Sequence, residues 1–279
     1  MMNIRPKKSL GQHFLKDREI ARRIAETLSA CRGLPVLEVG AGTGVLTRFL
    51  LDLGHDLSVV EIDALSVRYL EQHFPALSGG RIHAEDFLGM QLNRLYGDAK
   101  FCITGNYPYY ISSQIFFKVL EWREQVVCCS GMIQKEVAER LSAAPGSRRS
   151  GILSALIQPW YDVEYLFTVD EGAFDPPPKV KSAVVRLTRN GRTGLGCDEA
   201  LYRTVVKTSF NQRRKMLRNS MKPLLGKDCP CFALPVFDRR PEQLSIEGFI
   251  ELTLIAGRYL EEAAAADGQT IHPSRHTLR

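Results

Sequence analysis

Residues 35–44, Pro-Val-Leu-Glu-Val-Gly-Ala-Gly-Thr-Gly, constrain this chain more than any other stretch. A short apolar run enters three alternate glycines, and a helical pattern at 46–53 follows, so the segment must be strand, tight turn and helix. Glycine at such a turn lets the backbone bend sharply and come close to a ligand. The dinucleotide fingerprint is G-x-G-x-x-G, whereas here the third glycine comes one residue early, at Gly44. That spacing disfavours a nicotinamide-dependent oxidoreductase.

The alternation continues on both sides of the turn. Ile20, Ile24 and Leu28 recur at helical spacing, which predicts a helix over 17–31 with Asp17 as its N-cap. Strands are predicted at 35–40, 57–62, 81–84, 101–104 and 125–133. Helices are predicted at 65–74, closed by Pro75, and at 111–122. Repeated βαβ units favour a parallel sheet covered by helices on both faces, an α/β fold. Residues 188–197 carry three glycines and no apolar pattern, which suits a linker. Beyond them the chain reads as all helix. The clearest late helix starts at Pro241, with Leu252, Ile255 and Leu260 as its apolar stripe, and 263–279 lacks pattern. The expected organisation is a larger domain over 1–188 and a small helical domain over 198–262.

At 279 residues, with 44% hydrophobic and 24% charged, the chain can bury a sizeable core. The net charge of +6 is unevenly spread, because 201–227 holds eight Lys or Arg and no Asp or Glu. A one-signed stretch suits a polyanion, and a solvated helical face explains it as well. The N-terminus is basic without the apolar run of a signal peptide. No segment approaches the ~18 apolar residues that span a bilayer. The seven cysteines are odd in number and form no C-x-x-C pair, which points to reduced thiols in the cytoplasm. Cys229 and Cys231 lack the further ligands a metal needs, so no metal site is expected.

Three polar features could serve a nucleoside. Glu61 ends the strand after the glycine turn, where a carboxylate can accept from ribose hydroxyls. Asp86 ends the next strand and could accept from an adenine amine, although strand ends are often polar without binding anything. Asn106-Tyr107-Pro108-Tyr109 follows the fourth strand, at the sheet edge where α/β folds bind ligands. The N6 amine of adenine is a poor nucleophile because its lone pair is delocalised into the ring. The Asn106 side-chain carbonyl and the Tyr107 backbone carbonyl could accept both amine hydrogens and favour a pyramidal nitrogen. Pro108 stiffens the turn, and Tyr109 offers an aromatic face. A purely structural turn explains the four residues almost as well. Phe174-Asp175-Pro176-Pro177-Pro178-Lys179-Val180-Lys181-Ser182 reads as a rigid extended loop. It either holds Phe174 over the second face of a base or lets Phe174 pack into the core.

Together these motifs resemble the KsgA-type small-subunit rRNA adenine dimethyltransferases. Lys8-Ser9-Leu10-Gly11-Gln12-His13-Phe14-Leu15 is similar to that family's N-terminal motif. The glycine turn, Glu61, Asp86, Asn106 to Tyr109 and Phe174 to Ser182 follow in the family's order. The segment 209–219, Ser-Phe-Asn-Gln-Arg-Arg-Lys-Met-Leu-Arg-Asn, resembles its basic C-terminal helix, and Arg240-Pro241-Glu242-Gln243-Leu244-Ser245 its last segment. Coverage runs from about Arg5 to Leu260. Tyr107, where the family usually has Leu or Ile, and Tyr110, where Asn is common, depart from the pattern.

The resemblance implies a Rossmann-like class I methyltransferase sheet with a small all-helical C-terminal domain. It implies S-adenosylmethionine as cofactor, bound by His13, Leu15, Gly40, Gly42, Glu61, Ile62, Asp86, Phe87 and Asn106. Asn106, Tyr107, Pro108, Tyr109 and Phe174 would form the catalytic pocket. Arg213, Arg214, Lys215 and Arg218 would contact RNA. The implied substrate is a pair of adjacent adenosines in the 3′-terminal hairpin loop of small-subunit rRNA, within a pre-assembled small subunit, and a monomer is expected. A large-subunit rRNA adenine methyltransferase would share both pockets, but the basic segment and Arg240 to Ser245 argue against it. A non-catalytic assembly factor of this fold is the other alternative, against which the intact Asn106, Pro108 and Tyr109 speak.

Overall fold

A computed structural model describes residues 12–266. The chain divides into two compact units. One runs to Ser142 and resumes over Trp160–Gly191. The other takes Ala143–Pro159 and the described chain from Arg192 onward.

In chain order the first unit contains β1 (Phe14–Leu15), α1 (Arg18–Glu26), β2 (Pro35–Val39), α2 (Val45–Asp52), β3 (Asp56–Val60), α3 (Ala64–His73), β4 (Ile82–His83), α4 (Asn93–Tyr96), β5 (Phe101–Asn106), α5 (Ser112–Glu121), β6 (Val126–Gln134) and α6 (Lys135–Leu141). After the second unit's α7 (Ile152–Ile157) come β7 (Tyr161–Val169), β8 (Phe174–Asp175) and β9 (Ser182–Arg189). Seven strands form one sheet in the order β4-β3-β2-β5-β6-β9-β7. The βαβ alternation accounts for the parallel run from β4 through β6. It does not extend to β9, which pairs antiparallel with β6, or to β7, which pairs antiparallel with β9 at the sheet edge, so the sheet is mixed. A separate ribbon pairs β1 with β8, Leu15 opposite Phe174.

Strands β2 and β5 are apolar nearly throughout because both faces of a parallel sheet are covered. Val36, Leu37, Cys102, Ile103 and Cys129 have no exposed surface. From β2 the chain winds outward to β3 on one side and β5 on the other. That reversal opens a crevice at the carboxyl ends of the two strands, where this class of sheet binds ligands.

Helix α1 starts where the sequence predicts, with Asp17 Oδ1 accepting from the Glu19 and Ile20 amides at 2.9 and 3.1 Å. It stops at Glu26 rather than at 31. The Thr27 hydroxyl donates back to the Ile24 carbonyl, and a 3-10 turn over Ser29–Cys31 takes the chain into β2. Thr188 and Arg189, expected in the linker, belong to β9 opposite Cys128 and Tyr161, and the Arg189 guanidinium ties that strand end to the Trp160 carbonyl at 3.1 Å.

The second unit contains α7, α8 (Glu199–Asn211), α9 (Leu217–Ser220), α10 (Lys222–Leu225) and α11 (Ile246–Ala266). Tyr202 and Phe210 of α8 pack on Phe249 of α11, and the Tyr202 hydroxyl donates to the Ala155 carbonyl of α7 at 2.9 Å. The basic segment expected as one helix is broken: α8 ends at Asn211, and Arg213 to Lys215 lie in the turn before α9. The last helix begins at Ile246, because Pro241–Gln243 is a 3-10 turn and the Ser245 hydroxyl caps the Gly248 amide at 3.0 Å. Its buried face is Phe249, Leu252, Thr253 and Ala256, with Ile255 and Leu260 half-buried beside it. Residues 263–266, expected to lack pattern, continue this helix, while 267–279 lie outside the described residues. No helix among the described residues is long and apolar enough to cross a membrane.

Candidate active site

The glycine turn closes over the end of β2. Gly40, Gly42 and Gly44 all have positive φ, at 73°, 55° and 76°, a region that side chains disfavour. At Gly44 a Cβ would also collide with Phe74, 2.3 Å away. The turn therefore delivers backbone amides to the crevice and starts α2.

Glu61, just past β3, braces this turn. Its Oε2 accepts from the Gly42 amide at 2.8 Å and its Oε1 from the Asp63 amide at 2.9 Å. Burial raises the carboxyl's pKa, and the backbone amides of Asp63 and Gly42 oppose the rise. A carboxylate has about four acceptor sites, so beyond the backbone amides it receives Glu61 keeps capacity for a hydroxyl. Beside it Glu38 is 1% exposed and accepts from the Thr47 hydroxyl at 2.6 Å. Burial pushes the Glu38 carboxyl up to about 8, with Thr47 opposing and the Glu61 charge adding. Asp86 sits in a tight turn in which its Oδ1 accepts from the Leu88 amide at 3.0 Å.

On the β5 side, the Asn106 Nδ2 donates to the His13 carbonyl at 3.1 Å. That acceptor fixes which end of the amide is nitrogen and leaves Oδ1 as an acceptor. The carbonyls of Pro108 and Tyr109 are taken up within the turn by the Ile111 amide and the Ser112 hydroxyl, which leaves the Tyr107 carbonyl beside Asn106. The Tyr107 ring itself turns into the core, where its hydroxyl donates to the Ser130 carbonyl at 3.1 Å. Gly105 and Gly131, paired across β5 and β6, make room for it: a Cβ at Gly131 would lie 2.4 Å from the ring. The departure at Tyr107 thus changes packing beneath the turn. Tyr109 is held at its far end by Ser182 of β9, hydroxyl to hydroxyl at 2.5 Å, and stacks on the His13 ring with centroids 5.7 Å apart. The His13 Nδ1 lies 2.8 Å from the Pro176 carbonyl, which links the N-terminal motif to the proline loop.

His13, Leu15, Gly40, Gly42, Glu61, Ile62, Asp86, Phe87, Asn106, Tyr107, Pro108 and Tyr109 all line one cleft at the carboxyl end of the sheet. Residues 8–11 of the N-terminal motif lie outside the described residues. Phe174 does not line the cleft. Strand alternation in β8 turns it inward and Asp175 outward, and at 1% exposure its ring belongs to the core with Leu15, Ile24 and Val184. Of the two possibilities the sequence left for Phe174, the structure takes the core. Arg213, Arg214, Lys215 and Arg218 belong to the second unit. Arg214 and Lys215 are exposed. Arg213 hydrogen-bonds the Arg148 carbonyl, and Arg218 is ion-paired with Asp238. The sequence reading missed Ser182 as a partner of Tyr109, because no local pattern predicts a contact across 73 residues.

The mixed sheet and its cleft are those of the Rossmann-like methyltransferases. The described chain is similar to the crystal structure of a dimethyladenosine transferase from Plasmodium falciparum, with a TM-score of 0.71, 25% identity, and coverage of 88% of this chain and 98% of that one. It is also similar to the crystal structure of the 23S rRNA methyltransferase ErmE, with a TM-score of 0.61, 28% identity, and coverage of 85% and 98%. The sequence is 68% identical over 264 residues to the ribosomal RNA small subunit methyltransferase A of Parabacteroides distasonis, covering 95% of this chain and 98% of that protein. The same-named protein of Bacteroides thetaiotaomicron is 58% identical over 266 residues, with 95% and 99% covered. A family profile described as ribosomal RNA adenine dimethylase matches residues 3–230. The chain belongs to that family.

Proposed function

We propose that this protein transfers methyl groups from S-adenosylmethionine to the N6 amines of two adjacent adenosines in the 3′-terminal hairpin loop of small-subunit rRNA, giving N6,N6-dimethyladenosine. The observation that carries the reading is the Asn106 side chain, which lines the same cleft as Glu61 and Tyr109 and whose nitrogen is held by the His13 carbonyl, leaving Oδ1 as an acceptor. The residues present fit the cofactor. Glu61 keeps acceptor capacity for a ribose hydroxyl, at Gly40 no atom comes nearer than 3.7 Å to where a side chain would begin, and Asp86 with Phe87 suits an adenine. When bound, S-adenosylmethionine supplies a methyl group activated on a sulfonium.

The protein's own residues do the rest. A base in folded RNA must be extruded to reach this cleft. Tyr109, anchored by Ser182, offers it a face, and stacking of this kind is worth roughly 1–3 kcal/mol. Asn106 Oδ1 and the Tyr107 carbonyl accept the two N6 hydrogens and hold the lone pair toward the methyl donor. No general base is needed, because the methylated amine loses its proton to water. Arg214 and Lys215, with Arg213 and Arg218 beside them, would meet RNA phosphates. The expected partner is a pre-assembled small subunit in the cytoplasm, engaged by a monomer.

The test is methylation with labelled cofactor and each purified ribosomal subunit. The wild type should label small subunits at adenine N6. Tyr109→Ala should slow single-turnover labelling strongly with little change in cofactor affinity by calorimetry, and Asn106→Ala should damage both. Labelling of large subunits instead would move the protein to the other substrate class, and full activity in Tyr109→Ala would move the base pocket.

A further inference from the structure

Lys118 is a charged residue on the buried face of α5, only 6% exposed. Lysines are almost never buried without a partner, because an unsatisfied ammonium is costly to desolvate. Here the partner is a loop of the cleft. Nζ donates to the Leu88 carbonyl at 3.0 Å and lies 5.8 Å from the centre of the Phe87 ring. The amide of the same Leu88 is held by Asp86 Oδ1. The turn is completed by the Gly89 amide on the Asp86 carbonyl at 3.1 Å and the Met90 amide on the Phe87 carbonyl at 3.2 Å. Leu88 is therefore clamped at both ends, and one clamp comes from a different element. Burial lowers the ammonium's pKa, while the carboxylates of Glu121, Asp86 and Glu85 work to keep it charged. Helix α5 also starts directly after the 3-10 turn Tyr109–Ile111, so one helix connects the Asn106–Tyr109 turn to the 86–88 loop.

We infer that Lys118 is a positioning residue for the adenine end of the cofactor cleft, holding the Asp86–Phe87–Leu88 loop in its binding shape through the Leu88 carbonyl and the Phe87 ring. This rests on the reading of the cleft as a nucleoside-cofactor site. An apolar residue of the same length would pack α5 equally well, so packing alone does not call for a lysine.

The experiment uses the full chain with Lys118→Met, which keeps the length and removes the donor. Calorimetry with S-adenosylmethionine, S-adenosylhomocysteine and 5′-methylthioadenosine should show Kd raised about tenfold for all three, since a hydrogen bond to a charged group is of that order. The common element is the adenosine, so a loss confined to the two amino-acid-bearing ligands overturns the inference. KM for the cofactor should rise by the same factor while kcat on small subunits at saturating cofactor holds. Lys118→Arg, which keeps a cationic donor, should recover part of the affinity. If Lys118→Met does not fold, Lys118→Gln, a neutral donor, should still raise all three Kd values. A lower melting temperature with unchanged Kd in the variant that folds would make Lys118 a packing residue only. Failure of the wild type to bind any of the three overturns the cofactor reading itself, and this inference with it.

Discussion

Glu38 and Glu61 share one cleft, and their hydrogen bonds set them apart. Glu61 receives backbone amides, those of Asp63 and Gly42 foremost, which favour its charged form against the burial that opposes it. Glu38 has the Thr47 hydroxyl, and its burial wins: its carboxyl sits near 8 against an ordinary value of 4.5. Because the folded-state pKa is raised, the unfolded chain releases this proton first as pH increases. Glu38 therefore takes stability away progressively between about pH 4.5 and 8, and takes nothing below that window. Glu38→Gln keeps an acceptor for Thr47 and does not titrate. Its melting temperature should exceed that of the wild type by a margin that grows from acid to mildly alkaline pH and then levels. A margin independent of pH would mean that Glu38 is charged in the folded protein.

At the scale of elements, the ribbon of β1 and β8 decides what Phe174 can do. Its pairing puts Phe174 opposite Leu15, and both side chains join the core against α1. Phe174→Ala should then destabilise the fold by about 3–5 kcal/mol, the usual cost of emptying a buried phenylalanine site. Chemical denaturation measures this directly. A variant of wild-type stability with slow methyl transfer would instead return Phe174 to the base pocket. Directly before β1 comes His13, whose ring stacks on Tyr109 and whose carbonyl holds the Asn106 nitrogen. The short ribbon thus lies next to the residue that meets the Asn106–Tyr109 turn.

For the molecule as a whole, the cleft at the carboxyl end of the sheet belongs to the first unit and the basic turn between α8 and α9 to the second. The proposed division of labour is testable because phosphate binding acts through counterion release. Neutralising Arg214 and Lys215 together should weaken binding to small subunits and reduce the salt slope by roughly 0.7–0.9 for each phosphate no longer neutralised. Cofactor affinity should not change. These two are chosen because both are exposed, whereas Arg213 and Arg218 already serve the Arg148 carbonyl and Asp238. An unaltered slope would make the turn a solvated surface.

What the sequence determined by itself was whatever rests on local chemistry. Glycines at 40, 42 and 44, a capping Asp17, apolar strands and polar strand ends are decided within a few residues, and they were enough to place the parallel core and most of the cleft. The KsgA-type resemblance added the expected cofactor and the expected RNA substrate. Only the tertiary structure decided what depends on which distant segment a residue meets. Phe174 is core because β8 pairs with β1, and Tyr107 faces inward because Gly105 and Gly131 leave room for its ring. Tyr109 is steadied by Ser182, and Lys118 reaches Leu88. The basic segment breaks after Asn211, and the last two strands of the sheet in chain order, β7 and β9, run antiparallel to their neighbours. Side-chain periodicity tells a residue which face of its own element it occupies, but the partner on that face is fixed by chain topology, which no local window contains.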